Sequence, residues 1–339
     1  MLFDNVIYQK TLERSISILP DKDSSFLITG ATGLIGSFIV DLFHCANLHG
    51  HSHHVYALGR SIERLQKRFC YHDDLITLVQ QDVCDPFSDK LPNADYVIHA
   101  ASNADPRTYA QYPAETLLTN VYGTRNVLEY CRKCESKLVL LSTFEVYGKA
   151  ADRDVYDETS FGVIDANSIR SCYPESKRCA EILVRCYTEE YGIKGVIARL
   201  CSIYGPTMLA SDNKAHAQFI RNAVNNEDIV LKSAGSQRRS YLYVADAVSA
   251  IFTILTKGSI GEAYNVSNEN SVATIAEVAR EASKIAGTKV VYQIPDETER
   301  RGYSKPQNCI LNNTKLKDLG WNGKHSLSQG LKETIDILR

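Results

Sequence analysis

The sequence predicts an α/β protein: a doubly wound parallel sheet joined to a smaller, discontinuous C-terminal domain. Three observations lead there. Short apolar runs alternate with stretches of helical periodicity as far as about residue 205, and strands that alternate with helices build a parallel sheet. A glycine turn, Gly30-Ala-Thr-Gly33-Leu-Ile-Gly36, stands between the first apolar run and the first helical stretch. Beyond Pro206 the alternation lapses, and it resumes from Tyr241 to Asn265. Residues 1–205 plus 241–266 therefore read as the sheet domain, and 206–240 plus 267–339 as a smaller domain that covers it.

Composition narrows the function. The net charge is −2, so no basic field argues for nucleic acid. Hydrophobic residues make up 44% of the chain, enough for a sizeable core. No apolar run approaches the ~18–20 residues that span a bilayer. The first nineteen residues mix charges through their apolar positions, unlike a secretory leader, and read as an amphipathic helix at the domain edge. Ten cysteines scattered through predicted strands and helices suit buried thiols in a reducing cytoplasm better than a disulfide framework. Cys131-Arg-Lys-Cys134 has no second pair, and the histidines of His49-Gly-His51-Ser-His53-His54 read as a solvated loop. Neither is taken as a metal site.

The elements follow in order. Phe26 to Ile28 is the first strand, and Ser37 to Phe43 belongs to the helix after the glycine turn. In this Rossmann-type unit Gly30 permits the sharp turn and Gly33 lets backbone N–H groups reach a pyrophosphate. Gly36 lets helix and strand pack closely. Thr32, Leu34 and Ile35 complete the turn around the cofactor. Val55 to Arg60 is the second strand. It ends in Gly59-Arg60 rather than the acid that usually bonds the ribose 2′-OH of NAD. Arg60 suits a 2′-phosphate, so NADP stands beside NAD as a reading. Leu75 to Val79 is the third strand, and Asp82 and Val83 after it suit an adenine edge and face. Tyr96 to Ser102 is the fourth, and its small last residues Ala100, Ala101 and Ser102 suit a cofactor lying over the strand ends. Thr116 to Cys131 is a long helix carrying Asn120, and Leu138 to Leu141 is the fifth strand.

The chemistry gathers after strand five. Ser142 and Thr143 end the strand, and Glu145 follows at once. Tyr173 and Lys177 are four residues apart on a predicted helix reaching about Tyr191, so they share a face. An ammonium near a phenol favours the phenolate, which equips Tyr173 as a base near neutral pH. Lys177 can also hold the nicotinamide ribose, and Thr143 can orient a substrate alcohol.

These residues resemble the extended short-chain dehydrogenase/reductases that modify nucleotide sugars, and the likeness covers nearly the whole chain. Ser142-Thr-Phe-Glu-Val-Tyr-Gly148, Arg170-Ser-Cys-Tyr-Pro-Glu-Ser-Lys-Arg178, Arg199-Leu-Cys-Ser-Ile-Tyr-Gly-Pro-Thr-Met208 and Arg239-Ser-Tyr-Leu-Tyr-Val-Ala-Asp246 are similar to segments of the UDP-glucuronate decarboxylases. The resemblance implies a bound NAD, a UDP-sugar substrate and a homodimer joined through a four-helix bundle. Leu128, Ile182 and Val184 are outer-face candidates for that bundle. It places Leu200 and Ser202 against the cofactor, and Thr143, Arg170, Ser202, Gln218, Leu231 and Arg239 around the substrate. Arg300-Arg301 reads either as a second phosphate contact or as a surface charge pair. The sequence departs from the pattern at Ser202, where the family has Asn, and at Phe144, where it has Ser.

The implied reaction begins with oxidation at C4 of the sugar by Tyr173 and the nicotinamide. A C6 carboxylate then stands β to a ketone and leaves as carbon dioxide, and the hydride returns to C4. Phe144 stands where related 4,6-dehydratases carry an aspartic acid that protonates the C6 hydroxyl. Phe144 has no proton to donate, which disfavours loss of water. Glu145 points to chemistry at C5. Two alternatives stay open: a 4-epimerase or other C4/C5-modifying relative, and an NADPH-dependent 4-keto-sugar reductase.

Overall fold

A computed structural model describes residues 2–150, 153–293 and 308–339. Its centre is a seven-stranded sheet in the order β11-β7-β5-β4-β1-β2-β3, every pair of it parallel. The strands are β1 Ser25–Thr29, β2 His54–Gly59, β3 Ile76–Gln80, β4 Tyr96–His99, β5 Lys137–Thr143, β7 Lys194–Leu200 and β11 Ala263–Val266. Parallel strands need covered faces, and here the two faces carry separate apolar clusters. One holds Phe26, Ile28, Phe38, Phe43 and Val139. The other holds Leu27, Val97, Leu138, Leu140 and Val184. Alternate residues of one strand thus feed opposite layers.

Helix α1, Val6–Ser15, is capped by Asn5, whose side chain accepts from the N–H groups of Ile7 and Tyr8. It packs on α2 (Leu34–Leu48), on α8 (Val244–Lys257) and on the C-terminal helix Leu327–Leu338. Tyr8 in its first turn is fully buried and donates to Asp41 at 2.7 Å. The amphipathic edge helix of the sequence reading is therefore present. The histidine loop departs from expectation. His53 is buried among Phe26 and Phe43 rather than solvated, because it leads directly into β2 beneath α2. All ten cysteines are free thiols.

The segment from Tyr241 to Asn265 only partly rejoins the main sheet. Helix α8 and β11 do so. Strand β10, Arg238–Tyr243, instead pairs with β8 (Ser202–Tyr204) and β12 (Val272–Thr274) in a three-stranded sheet. Arg238 to Ser240 pair antiparallel with β12 and Tyr241 to Tyr243 parallel with β8, so the strand changes partner at the expected boundary while staying in this small sheet. Helix α7, Ala215–Val224, meets this sheet through His216 against Tyr241 and packs on β9, Ile229–Leu231, which pairs with β13, Val290–Tyr292.

Candidate active site

The cofactor cradle is built by close backbone approach. Gly30 sits at φ +67°, and a Cβ there would lie 2.8 Å from the backbone of Ala101. A Cβ on Gly36 would lie 2.4 Å from the Gly30 carbonyl. No larger residue fits either place. Helix α2 follows an N-cap at Gly33 that has no side-chain cap, and the Gly33 N–H closes the turn onto the Gly30 carbonyl at 3.0 Å, so Thr32, Leu34 and Ile35 stand at an uncapped, positive helix end. That is the donor set a pyrophosphate requires, and the residues present fit a dinucleotide.

Around this turn the other expected contacts divide. Ala100, Ala101 and Ser102 follow the end of β4. Ser102 donates to Asn120 at 2.8 Å, and Asn120 donates to Ser176 at 2.9 Å, which ties the strand end to helices α5 (Pro113–Cys134) and α6 (Cys172–Tyr191). Val83 is buried against Gly123, where a Cβ would come within 2.9 Å of it. Asp82 accepts from the Cys84 N–H at 2.9 Å and shapes a turn. Arg60 is exposed and donates to Glu115 at 3.0 Å. Leu200 ends β7, half-buried against the core.

Thr143, Tyr173 and Lys177 meet at the carboxyl end of β5, all buried. Thr143 accepts from the Glu145 N–H at 3.2 Å, which sets the short turn Phe144–Tyr147. The Tyr173 hydroxyl shares hydrogen bonds with Thr143 and with Tyr109. Lys177 donates to the Leu141 carbonyl at 3.0 Å, and burial lowers its pKa to about 8. Burial first, and the Glu145 carboxylate second, hold the phenol well above its ordinary value. The ammonium gives one of its three N–H donors to a backbone carbonyl, leaving two for other partners.

Tyr109, on α4 (Pro106–Gln111), escaped the sequence reading. Its ring stacks on Tyr173 with centroids 4.5 Å apart and 13° between planes. The Arg170 guanidinium lies over the Tyr109 ring, 5.3 Å from its centroid, and pairs with Glu145 at 2.8 Å. Glu145, Arg170, Tyr109 and Tyr173 thus form one continuous cluster. Its only local signal is a tyrosine four residues after Asp105, which caps the helix. Glu181 was missed as well. It accepts from Ser142 at 2.5 Å and Arg199 at 2.7 Å, bracing the strand end from below. Phe144 packs partly buried against the main core.

The expected substrate residues are less tightly gathered. Ser202 is registered with Tyr241. Arg239 donates to Gln237 at 3.1 Å, while its Nε is buried without a partner among the described residues. Leu231 is buried. Gln218 is exposed and points away from the buried face of α7. Arg300 and Arg301 lie outside the described residues.

Comparison with known proteins supplies a family. A family model described as "NAD dependent epimerase/dehydratase family" matches residues 26–267. UDP-glucuronic acid decarboxylase 1 of Xenopus tropicalis is 30% identical over 346 residues, covering 97% of this chain and 77% of the relative. UDP-glucuronic acid decarboxylase 6 of Arabidopsis thaliana is 32% identical over 316 residues, covering 90% and 86%. UDP-glucose 4-epimerase of Thermotoga maritima, solved with UDP-glucose, superposes with TM-score 0.77 at 24% identity, covering 92% of this chain and 98% of that one. The epimerase Mth375 of Methanothermobacter thermautotrophicus superposes with TM-score 0.78 at 19% identity, covering 98% and 96%. The structural likenesses speak to the fold alone. The family match and the relatives together establish that this chain belongs to the NAD-dependent epimerase/dehydratase family.

Proposed function

We propose that this member of the family is a UDP-glucuronate decarboxylase, oxidising the sugar at C4, releasing carbon dioxide and restoring the C4 alcohol. The observation that carries the reading is the pair Phe144 and Glu145 beside an intact Thr143, Tyr173 and Lys177. A carboxylate available to C5, and a ring with no proton to give where a C6 dehydration would need an acid, support loss of carbon dioxide over loss of water. The relatives named UDP-glucuronic acid decarboxylase support it.

Bound NAD supplies a hydride acceptor and one positive charge. Thr143 orients the 4-hydroxyl, and Tyr173 accepts its proton. Lys177, charged below about pH 8, holds positive charge behind the phenol. With C4 oxidised, the C5–C6 bond breaks, its electron pair passes into the C4 enolate, and carbon dioxide leaves. Glu145 relays a solvent proton to C5. Tyr173 returns its proton to the C4 oxygen as the hydride comes back. Arg170 positions Glu145 and releases it when substrate carboxylate competes for the guanidinium. Glu115 beside Arg60 repels a 2′-phosphate, which supports NAD over NADP and argues against an NADPH-consuming reductase.

The homodimer belongs to this reading. Leu117, Leu118, Tyr122 and Ile182 are 38–59% exposed on helices α5 and α6, and exposed apolar side chains gathered on adjoining helices mark interaction surfaces. Leu128 and Val184, expected on that face, are instead fully buried between helix and sheet, because that side of each helix packs on the strands.

Two readouts test the chemistry. Turnover of UDP-glucuronate should leave total NAD and NADH unchanged, whereas stoichiometric consumption of reduced cofactor would contradict a decarboxylase. Glu145→Gln should lose about 10²-fold or more in turnover while still reducing bound NAD. Full activity in that variant would remove Glu145 from the mechanism.

A further inference from the structure

We propose that His216 is a ligand of the substrate's diphosphate and that it engages this group by taking a proton from solvent. The inference rests on the nucleotide-sugar reading above and assigns a residue that the sequence pattern did not.

Four buried nitrogens in residues 213–239 lack a hydrogen-bond partner among the described residues: Asn213 Nδ2, His216 Nε2, Arg221 Nη1 and Arg239 Nε. Buried polar atoms are almost always paired, and leaving one unpaired costs about 1–3 kcal/mol. Of these, His216 and Arg239 lie close enough to act on one another, and two unpaired nitrogens side by side point to an absent acceptor rather than to packing. His216 is only 6% exposed. Its ring meets Tyr241 edge-on, with centroids 5.9 Å apart. Tyr241 and Arg239 are two residues apart on β10 and so share a face. The imidazole and the guanidinium therefore look onto the same patch. His216 also lies in the first turn of α7, whose N-terminus has no side-chain cap. Such a helix end attracts anions.

The charged groups facing the ring are few. Lys214 and Asp212 precede the helix and pair with each other at 3.3 Å, and Arg239 faces it from β10. The ring hydrogen-bonds the Ile203 carbonyl, leaving Nε2 free. Burial, then Lys214, lowers the His216 pKa to about 4. The free site thus holds a neutral imidazole that presents a lone pair. A diphosphate diester brings two negative charges and no proton of its own near neutrality. Seated here it reverses the field and favours the imidazolium. Nε2 then gains a proton from solvent and donates it in a hydrogen bond to a phosphate oxygen.

Calorimetric titration of the NAD-loaded enzyme with UDP-glucose, in two buffers of different ionisation heat, reads this directly. The wild type should take up a proton, and its affinity should rise about tenfold or more as pH falls from about 8 to 6. His216→Gln keeps a donor but does not titrate. It should lose most of that pH dependence and the His216 share of the uptake. Equal uptake by both proteins would overturn the proposal. So would absence of uptake by the wild type, which decides the matter even if the variant fails to fold. If UDP-glucose does not bind but GDP-mannose does, with His216-dependent uptake, the inference stands and the uridine reading fails. If neither sugar nucleotide binds, both fail.

Discussion

Burial acts on Tyr173 and Lys177 in opposite senses: it raises the phenol and lowers the ammonium, so both are pressed toward neutrality. For the lysine the effect is also a stability effect. Its folded pKa of about 8 lies below the unfolded value of 10.5. Below pH 8 both states are charged, and the full cost of burying the ammonium is present. Between about 8 and 10.5 the unfolded chain holds the proton that the folded chain has lost, so stability rises with pH. Above that window the cost is gone. Lys177→Met should therefore abolish turnover yet stabilise the protein at pH 7 by up to about 3 kcal/mol. The gain should shrink as pH rises past 8. Urea unfolding of both proteins across this range checks it, and a variant less stable than wild type at pH 7 would contradict the burial argument.

The elements depend on where glycine permits contact. Gly36→Ala places a methyl 2.4 Å from the Gly30 carbonyl. It should cost about 1–3 kcal/mol and weaken NAD binding, because relief requires α2 to move off β1. Gly50→Ala has open space around its Cβ but a φ of +93°, so it should be strained without touching the cofactor. Thermal unfolding and NAD titration separate the two, and equal NAD affinities would detach Gly36 from the cradle.

This element was legible in the sequence because strand, turn and helix are contiguous. So was Tyr173 with Lys177, whose spacing alone puts them on one face. Tyr109 and the Arg170–Glu145 pair were hidden, since they meet only when α4, the turn Ile169–Ser171 before α6 and the turn after β5 converge. The partners of β10 and the burial of His53 likewise depend on what packs against them. Leu128 and Val184 were placed on the wrong side because apolar periodicity marks a buried face without saying what buries it.

At the scale of the whole molecule, no helix among the described residues is long and apolar enough to cross a membrane. The α5–α6 face with Tyr122 and Ile182 is the surface on which a second copy is proposed to dock. Sedimentation should find a dimer in the wild type, and Ile182→Asp should shift it toward monomer with Thr143 and Tyr173 undisturbed. A wild-type monomer would refute the interface.

The central claim is carbon loss at C6, and a mass balance tests it most directly. Purified enzyme with catalytic NAD and UDP-glucuronate should release one carbon dioxide per sugar nucleotide consumed and yield a UDP-pentose. A product of unchanged mass at a new retention time would contradict the claim, make the enzyme an epimerase, and leave Phe144 as a residue that shapes the pocket.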